Sequence, residues 1–248
     1  MSDLLAPLLE LPGVADAAEA AREALAKAHR HRTNLRNWPV TAAESAIRGA
    51  RSSSAIDGGA VQLDASGAEQ TDPVLAGALR VGQALEGGTT ALVGVWQRAP
   101  LQALARLHAL AAADLIDEER LGRPRQNPVV AARLDLVTRL VTGASSAPAP
   151  VLASVAHGEL LTLAPFGVGD GIVARAVSRL VTMATGLDPH GLGVPEVYWM
   201  RRAEEYRSAA AGFASGSPEA VGAWLLLCCR ALEDGAREAV SIAEAAAK

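Results

Sequence analysis

The chain has 248 residues, a formal net charge of −4 and a hydrophobic content of 50%, but aromatic residues make up only 3%. The mild negative charge and the absence of long Lys or Arg blocks exclude the electrostatic footprint of a nucleic-acid-binding protein. The apolar runs, such as residues 223–229, are too short to span a bilayer, so we expect no membrane partner. This composition predicts a large helical core that packs over small residues.

The cysteines and the first residues of the chain indicate the cellular compartment in which the protein is expected to reside. Cys228 and Cys229 are adjacent in a helical pattern, and neighbours on a helix point apart, so we expect no internal disulfide. The start Met1-Ser2-Asp3 lacks the basic segment of a secretory signal. Both features favour a cytoplasmic, reduced protein.

The first 40 residues predict a helix and a connector. Residues 14–30 are rich in Ala, Glu and Arg and predict a solvated helix, which residues 31–40 would link to the rest. His29 and His31 lie two positions apart, and such residues face different sides of a helix, which disfavours a metal site. We therefore separate residues 1–40 from one helical domain over residues 41–248.

The next helix is predicted over residues 41–58. Thr41 and Glu44 form a capping box that predicts its start, and Gly58-Gly59 predicts its end. Asp57 then lies in the last turn, where the negative end of the helix dipole disfavours a carboxylate. The position favours a cationic partner for Asp57, and the alternative is a solvated carboxylate in a polar turn.

Further helices follow from apolar residues at helical spacing, separated by Gly- and Pro-bearing loops. His108 lies on an apolar helix face and is predicted to be a packed core residue, and Leu121-Gly122-Arg123-Pro124-Arg125 forms a turn. Residues 60–72 predict a loop. The helices are predicted over residues 73–85, 89–96, 100–115, 128–141, 151–163, 172–186 and 195–215. Residues 216–218 break the last of these, and a final helix includes residues 221–232 and then frays.

The most informative stretch is residues 163–175, which read Leu-Ala-Pro-Phe-Gly-Val-Gly-Asp-Gly-Ile-Val-Ala-Arg. Three glycines within five residues separate two helices, so the loop backbone can wrap an anion at the positive end of the second helix. Asp170 directly precedes that helix and is predicted to be its N-cap. The loop residues that would bind an anion or nucleotide are Gly167, Gly169, Asp170, Gly171 and Arg175.

This stretch resembles the signature of the Fic (Fido) family, whose members transfer nucleotide monophosphates from ATP to protein hydroxyls. The family pattern is His-Pro-Phe-x-Asp/Glu-Gly-Asn-Gly-Arg-x-x-Arg. The chain keeps the residues that shape the loop, which are Pro165, Phe166, Gly169, Gly171 and Arg175. It departs at four chemical positions, occupied by Ala164, Val168, Asp170 and Ile172.

The resemblance implies an all-α, Fic-like bundle of many helices around this central helix–loop–helix. Ser53-Ser54-Ala55-Ile56-Asp57-Gly58 also resembles the family's inhibitory motif, whose residues here would be Ser53, Asp57 and Gly58. In the family the acid of this motif pairs with the second signature arginine, which is Arg175 here. The family's β-hairpin flap is expected to be shortened or absent, because residues 126–128 lead almost directly into a helix.

The four departures remove the family's chemistry. Ala164 cannot take a proton as the family histidine does, so we expect no catalytic residue. Val168 offers no oxygen to Mg²⁺, so no metal site is expected. Asp170 would repel phosphate, and Ile172 lacks the cationic clamp. His157 lies about 10 Å along the helix from position 164, too far to replace the base.

Three functions remain open at this point. The first is a degenerate Fic-like protein without AMP transfer, acting as a binding or regulatory module with a protein partner or as a homodimer, and needing no cofactor. The second is a Fic-type nucleotidyltransferase, a protein adenylyltransferase or related enzyme with altered chemistry, which would use ATP and Mg²⁺. The third is a structural helical protein whose motifs are accidental.

Overall fold

The computed structural model describes residues 3–63, 72–86 and 91–247. Within these ranges the chain is helical and has no β-strand, which confirms the all-α class. Short 3₁₀ turns at Ala6–Glu10 and Glu118–Arg120 and a π turn at Leu140–Ala144 accompany the α-helices. The helices are α1 (Val14–His29), α2 (Arg32–Ile56), α3 (Pro73–Leu85), α4 (Ala91–Arg98), α5 (Pro100–Ala112), α6 (Pro128–Arg139), α7 (Ala149–Leu163), α8 (Asp170–Ala184), α9 (Pro195–Arg201), α10 (Ala203–Phe213) and α11 (Pro218–Ala245).

Helices α7 and α8 lie at the centre of the fold. They pack against each other, α7 also contacts α6, α10 and α11, and α8 also contacts α3, α4 and α5. Every residue of α7 from Pro150 to Leu160 is buried, which matches a sequence that is apolar nearly all round. The loop between α7 and α8 therefore stands on a rigid, fully packed support.

Helix α1 is not simply the solvated helix that the sequence predicted. It packs along α11, and its buried residues recur at the spacing of one helix face. The others remain exposed or half-buried. The buried set is mostly alanine, which lets two helices approach closely: Val14, Ala18, Ala21, Leu25 and Ala28.

The stretch Arg32–Ile56, called α2, is divided by a kink, and its longer part begins after Asn37, earlier than the start predicted at Thr41. Its one irregular residue is Asn37 (φ −145°, ψ 40°), and Pro39 follows within the next turn, where a missing N–H costs little. Thr41 does not cap a helix. Its hydroxyl donates to the side-chain oxygen of Asn34 at 2.8 Å, and the carbonyl of Trp38 lies 3.0 Å away.

The end of α2 is as predicted. Gly58 takes a left-handed conformation (φ +84°), which a residue without a Cβ adopts at no steric cost. Its N–H donates to the carbonyl of Ala55 at 3.2 Å, and the N–H of Gly59 donates to the carbonyl of Ser54 at 2.9 Å. These two bonds form a Schellman motif, which fixes the direction in which Asp57 leaves the helix.

The remaining elements agree broadly with the sequence, except that the helix predicted over residues 195–215 is divided at the non-helical Arg202 into α9 and α10. Helix α3 has the predicted limits and is capped by Asp72, whereas the glycines expected to close it, at 87–88, lie outside the described residues. Much of the predicted loop 60–72 also lies outside them. Residues 121–127, all described, reach α6 without a strand, as expected. None of the described helices is both long enough and apolar enough to cross a membrane.

Candidate functional site

The loop between α7 and α8 reverses the chain through left-handed backbone conformations. Gly167 (φ +88°) and Gly169 (φ +71°) adopt them without strain, whereas Ala164 (φ +44°) is an alanine in the same region. Ala164 ends α7, and its N–H still donates to the carbonyl of Leu160 at 3.0 Å. Ala164 thus combines a strained backbone with a methyl side chain that can neither donate nor accept a proton.

Asp170 is not the N-cap of α8, which corrects the sequence prediction. Gly169 is the N-cap, and Asp170 is the first helical residue. The carboxylate of Asp170 turns back to the loop and accepts hydrogen bonds from the backbone N–H groups of Phe166, at 2.9 Å, and Gly167, at 2.6 Å. The sequence analysis placed Asp170 correctly at the start of α8 but predicted the wrong hydrogen-bond partners for its carboxylate.

The Asp170 contacts decide what the glycine loop can bind. The backbone N–H of Gly167, one of the residues predicted to wrap an anion, and that of Phe166 beside it already bind the chain's own carboxylate. Burial raises the pKa of the Asp170 carboxyl, against the two amide bonds and Arg125, which favour its charged form. An incoming phosphate would have to displace this carboxylate and would meet its negative charge.

Arg125 binds the carboxyl-terminal end of α7, where the helix enters the loop. Its backbone N–H donates to the carbonyl of Pro165 at 2.8 Å. Its guanidinium donates to the carbonyls of Leu163, at 2.8 Å, and Ala164, at 3.2 Å. A cation at the carboxyl end of α7 satisfies carbonyls that have no partner within the helix.

His108 joins the turn after α5 to the loop, and its predicted burial is confirmed. Its Nδ1 accepts from the N–H of Gly122 at 2.9 Å, and its Nε2 lies 3.1 Å from the carbonyl of Val168. Its ring stacks on Phe166 with centroids 4.0 Å apart. Burial lowers the pKa of His108, which favours the neutral ring that these two contacts require.

Asp57 and Arg175 form the ion pair that the sequence predicted. An Asp57 carboxylate oxygen lies 2.8 Å from Nη2 of Arg175, whose side chain is 1% exposed while that of Asp57 is 26% exposed. Arg175 also donates from Nε to the hydroxyl of Ser53, at 2.8 Å, and from Nη2 to its carbonyl, at 3.0 Å. Within the described ranges its Nη1 has no hydrogen-bond partner. The last turn of α2 therefore supplies the anion for a buried cation of α8.

Gly171 allows Asp57 to reach the first turn of α8. A Cβ built on Gly171 would lie only 2.6 Å from each carboxylate oxygen of Asp57. That separation is shorter than any real contact of a Cβ, so the two helices can meet in this way only over a glycine. The amino-terminal end of α8 thus has two carboxylates against it, Asp57 on one side and Asp170 on the other, where the helix dipole favours negative charge.

His157 is a structural residue, as predicted. It is fully buried, and its Nε2 lies 2.8 Å from the hydroxyl of Tyr206. The rings of Trp199 and Trp224 lie against it, with centroids 4.7 Å and 5.1 Å away. Burial holds the pKa of His157 well below its ordinary value, so it stays neutral inside this aromatic cluster.

The comparisons with known proteins add nothing to the interpretation of this geometry. No protein-family model matches the chain, and no curated protein matches it. Within the described ranges, no group of three or more His, Cys, Asp or Glu side chains is arranged to hold a metal ion. The Fic resemblance therefore rests on the motif residues and on the contacts between them.

The strain at Ala164 gives a direct test of the loop geometry. Ala164→Gly is expected to raise the free energy of unfolding by about 0.5–1 kcal/mol. The left-handed conformation costs alanine about 1–2 kcal/mol, and the larger conformational entropy that glycine loses on folding cancels part of the gain. Urea unfolding followed by circular dichroism measures the change. The matched control is Ala132→Gly on the exposed face of α6, which should instead lose about 1 kcal/mol. Equal losses at both sites would contradict the strained loop.

Proposed function

We propose that this chain is a degenerate Fic-type protein that has lost AMP transfer and serves as a binding or regulatory module. The observation that carries the proposal is the Asp57–Arg175 pair. In the Fic pattern this pair restrains an active site, and here it persists where Ala164, Val168 and Ile172 occupy three of the chemical positions. Because the catalytic residues that this contact would inhibit are missing, we interpret the Asp57–Arg175 pair as a structural contact that holds the end of α2 against α8.

The two carboxylates at the amino-terminal end of α8 support the same proposal. Asp170 holds two loop amides, and Asp57 lies over Gly171, where an ATP phosphate would be drawn. Transfer of a nucleotidyl group depends on electrostatic stabilisation of phosphate charge, and these groups would oppose it. We therefore propose a protein partner or a second copy of the chain as what the module binds, in the cytoplasm.

The test is titration calorimetry with ATP, with and without Mg²⁺, on three proteins. They are the wild type, Asp57→Gly, and a rebuilt variant that combines Asp57→Gly with Ala164→His, Val168→Asp, Asp170→Asn and Ile172→Arg. We expect no binding by the first two and binding with Mg²⁺ by the rebuilt variant, because only that variant regains the metal ligand and the cationic clamp. Circular dichroism confirms that each variant is folded.

The other outcomes are equally informative. ATP binding by the wild type or by Asp57→Gly would replace the proposal with a nucleotide-binding enzyme of altered chemistry. Failure of a folded rebuilt variant to bind would show that the loop is not a Fic-type frame. Asp135→Gly, on the exposed face of α6, controls for the loss of one carboxylate.

A further inference from the structure

A cleft of about 710 Å³ lies away from the signature loop, between α1 and the segments that precede α7 and follow α8. Small-molecule sites in proteins occupy about 300–1,000 Å³, so the cleft has the size of a ligand pocket. Alanine, proline and leucine make up most of its wall. The residues of α1 that face it are Ala15, Ala18, Glu19, Arg22, Ala26 and His29.

The charged groups of the wall are paired with one another. Arg22 donates from Nε to Glu19 at 2.8 Å, and both side chains are half-exposed. His29, which is 19% exposed, has its Nε2 2.8 Å from a carboxylate oxygen of the buried Asp188. The wall therefore presents no unpaired charge, and a charged ligand would gain no counter-ion in exchange for its lost water.

Asp188 sets the hydrogen-bonding role of His29. Besides the His29 contact, its carboxylate accepts from the N–H groups of Leu192, at 2.9 Å, and Gly193, at 2.8 Å. Burial alone would raise the pKa of Asp188, but His29 and these amides outweigh it and the pKa is lowered, so the carboxylate only accepts. Nε2 of His29 must then carry the hydrogen. Nδ1 has no hydrogen-bond partner among the described residues, and in a ring that carries its one hydrogen on Nε2 it is an acceptor.

We infer that this cleft binds a small, uncharged, mainly apolar molecule that carries one hydroxyl, whose hydrogen is accepted by Nδ1 of His29. The apolar wall contacts the body of the molecule, and the fixed His29–Asp188 dyad orients the acceptor. Small-molecule pockets have this composition, with one or two placed polar groups in an apolar lining. The inference does not depend on the Fic-type proposal.

The test uses three probes in equilibrium dialysis: 1-naphthol, 1-methoxynaphthalene, which cannot donate a hydrogen, and the anion 1-naphthoate. We expect 1-naphthol to bind about five- to tenfold more tightly than 1-methoxynaphthalene, the worth of one hydrogen bond. His29→Phe combined with Asp188→Asn, which leaves no unpaired buried carboxylate, should remove this difference and leave the binding of 1-methoxynaphthalene unchanged. Ala26→Trp, which fills the cleft, should abolish binding of both probes.

The matched control is Ala20→Trp, on the exposed side of the same helix, which should bind like the wild type. The imidazole ¹⁵N spectrum adds a readout at the atom itself, because Nδ1 of His29 should shift on addition of 1-naphthol and not of 1-methoxynaphthalene. Tighter binding of 1-naphthoate, unchanged binding by Ala26→Trp, or no binding of any probe would overturn the inference. It would also be overturned if Ala26→Trp altered the sedimentation of a dimer, because the cleft would then be an interface between copies.

Discussion

Asp57→Ala is expected to lower the free energy of unfolding by about 3 kcal/mol, the lower end of the range for breaking a buried ion pair. The loss is large because Arg175 is 1% exposed and would keep its charge with only uncharged partners, Ser53 and Tyr206. The lower end applies because Asp57 retains about a quarter of its surface in solvent. Urea unfolding followed by circular dichroism measures it.

A double-mutant cycle isolates the pair from the individual side chains. Arg175→Met removes the charge and keeps an apolar stem, and the double variant should lose less than the two single losses combined, by about 1–3 kcal/mol. The exposed pair Asp135–Arg139 is the control, with an expected coupling of at most about 0.5 kcal/mol. Additive losses at Asp57 and Arg175 would show that the contact stabilises nothing, and the structural role proposed for it would fail.

The Asp57–Arg175 contact could be predicted because two motifs carried it. The helix-capping pattern at Gly58 predicted the end of α2, and the family resemblance identified Arg175, more than a hundred residues away, as the partner of Asp57. Similar local patterns predicted the limits of α3 and the burial of His108. Prediction succeeded where a short stretch determines both the backbone and the direction of the side chain.

The prediction failed where a polar side chain had a choice of partners. Thr41 has the spacing of a capping box, but its hydroxyl donates to the side chain of Asn34 and lies near the carbonyl of Trp38, and the irregular residue of α2 is Asn37. Asp170 precedes an apolar stripe as an N-cap would. Gly169, however, takes the left-handed conformation and is itself the N-cap of α8, so the Asp170 carboxylate can bind the loop.

Some contacts gave no signal in the sequence at all. His29 and Asp188 are separated by 159 positions, and neither belongs to a motif. Their meeting depends on how α1 packs along α11 and on how the loop after α8 folds back, which only the assembled core determines. A buried acid such as Asp188 could have been suspected only from the apolar residues around it.

Asp170→Ala should lower the free energy of unfolding by about 2–3 kcal/mol, although its position in the first turn of a helix alone would suggest far less. A carboxylate near a helix amino terminus contributes about 0.3–1 kcal/mol through the dipole. Asp170 also holds the N–H groups of Phe166 and Gly167, and hydrogen bonds to charged groups contribute about 1.5–3 kcal/mol. Chemical unfolding of the variant measures the total.

The control that separates the two terms is Asp16→Ala, because Asp16 is an exposed acid in the first turn of α1, where the dipole acts alone. It should lose at most about 1 kcal/mol. If Asp170→Ala loses no more than this, the loop amides do not depend on Asp170 and the loop remains open to an anion. A larger loss at Asp170 means that the loop is held by its own carboxylate, so any phosphate would have to replace a contact that stabilises the fold.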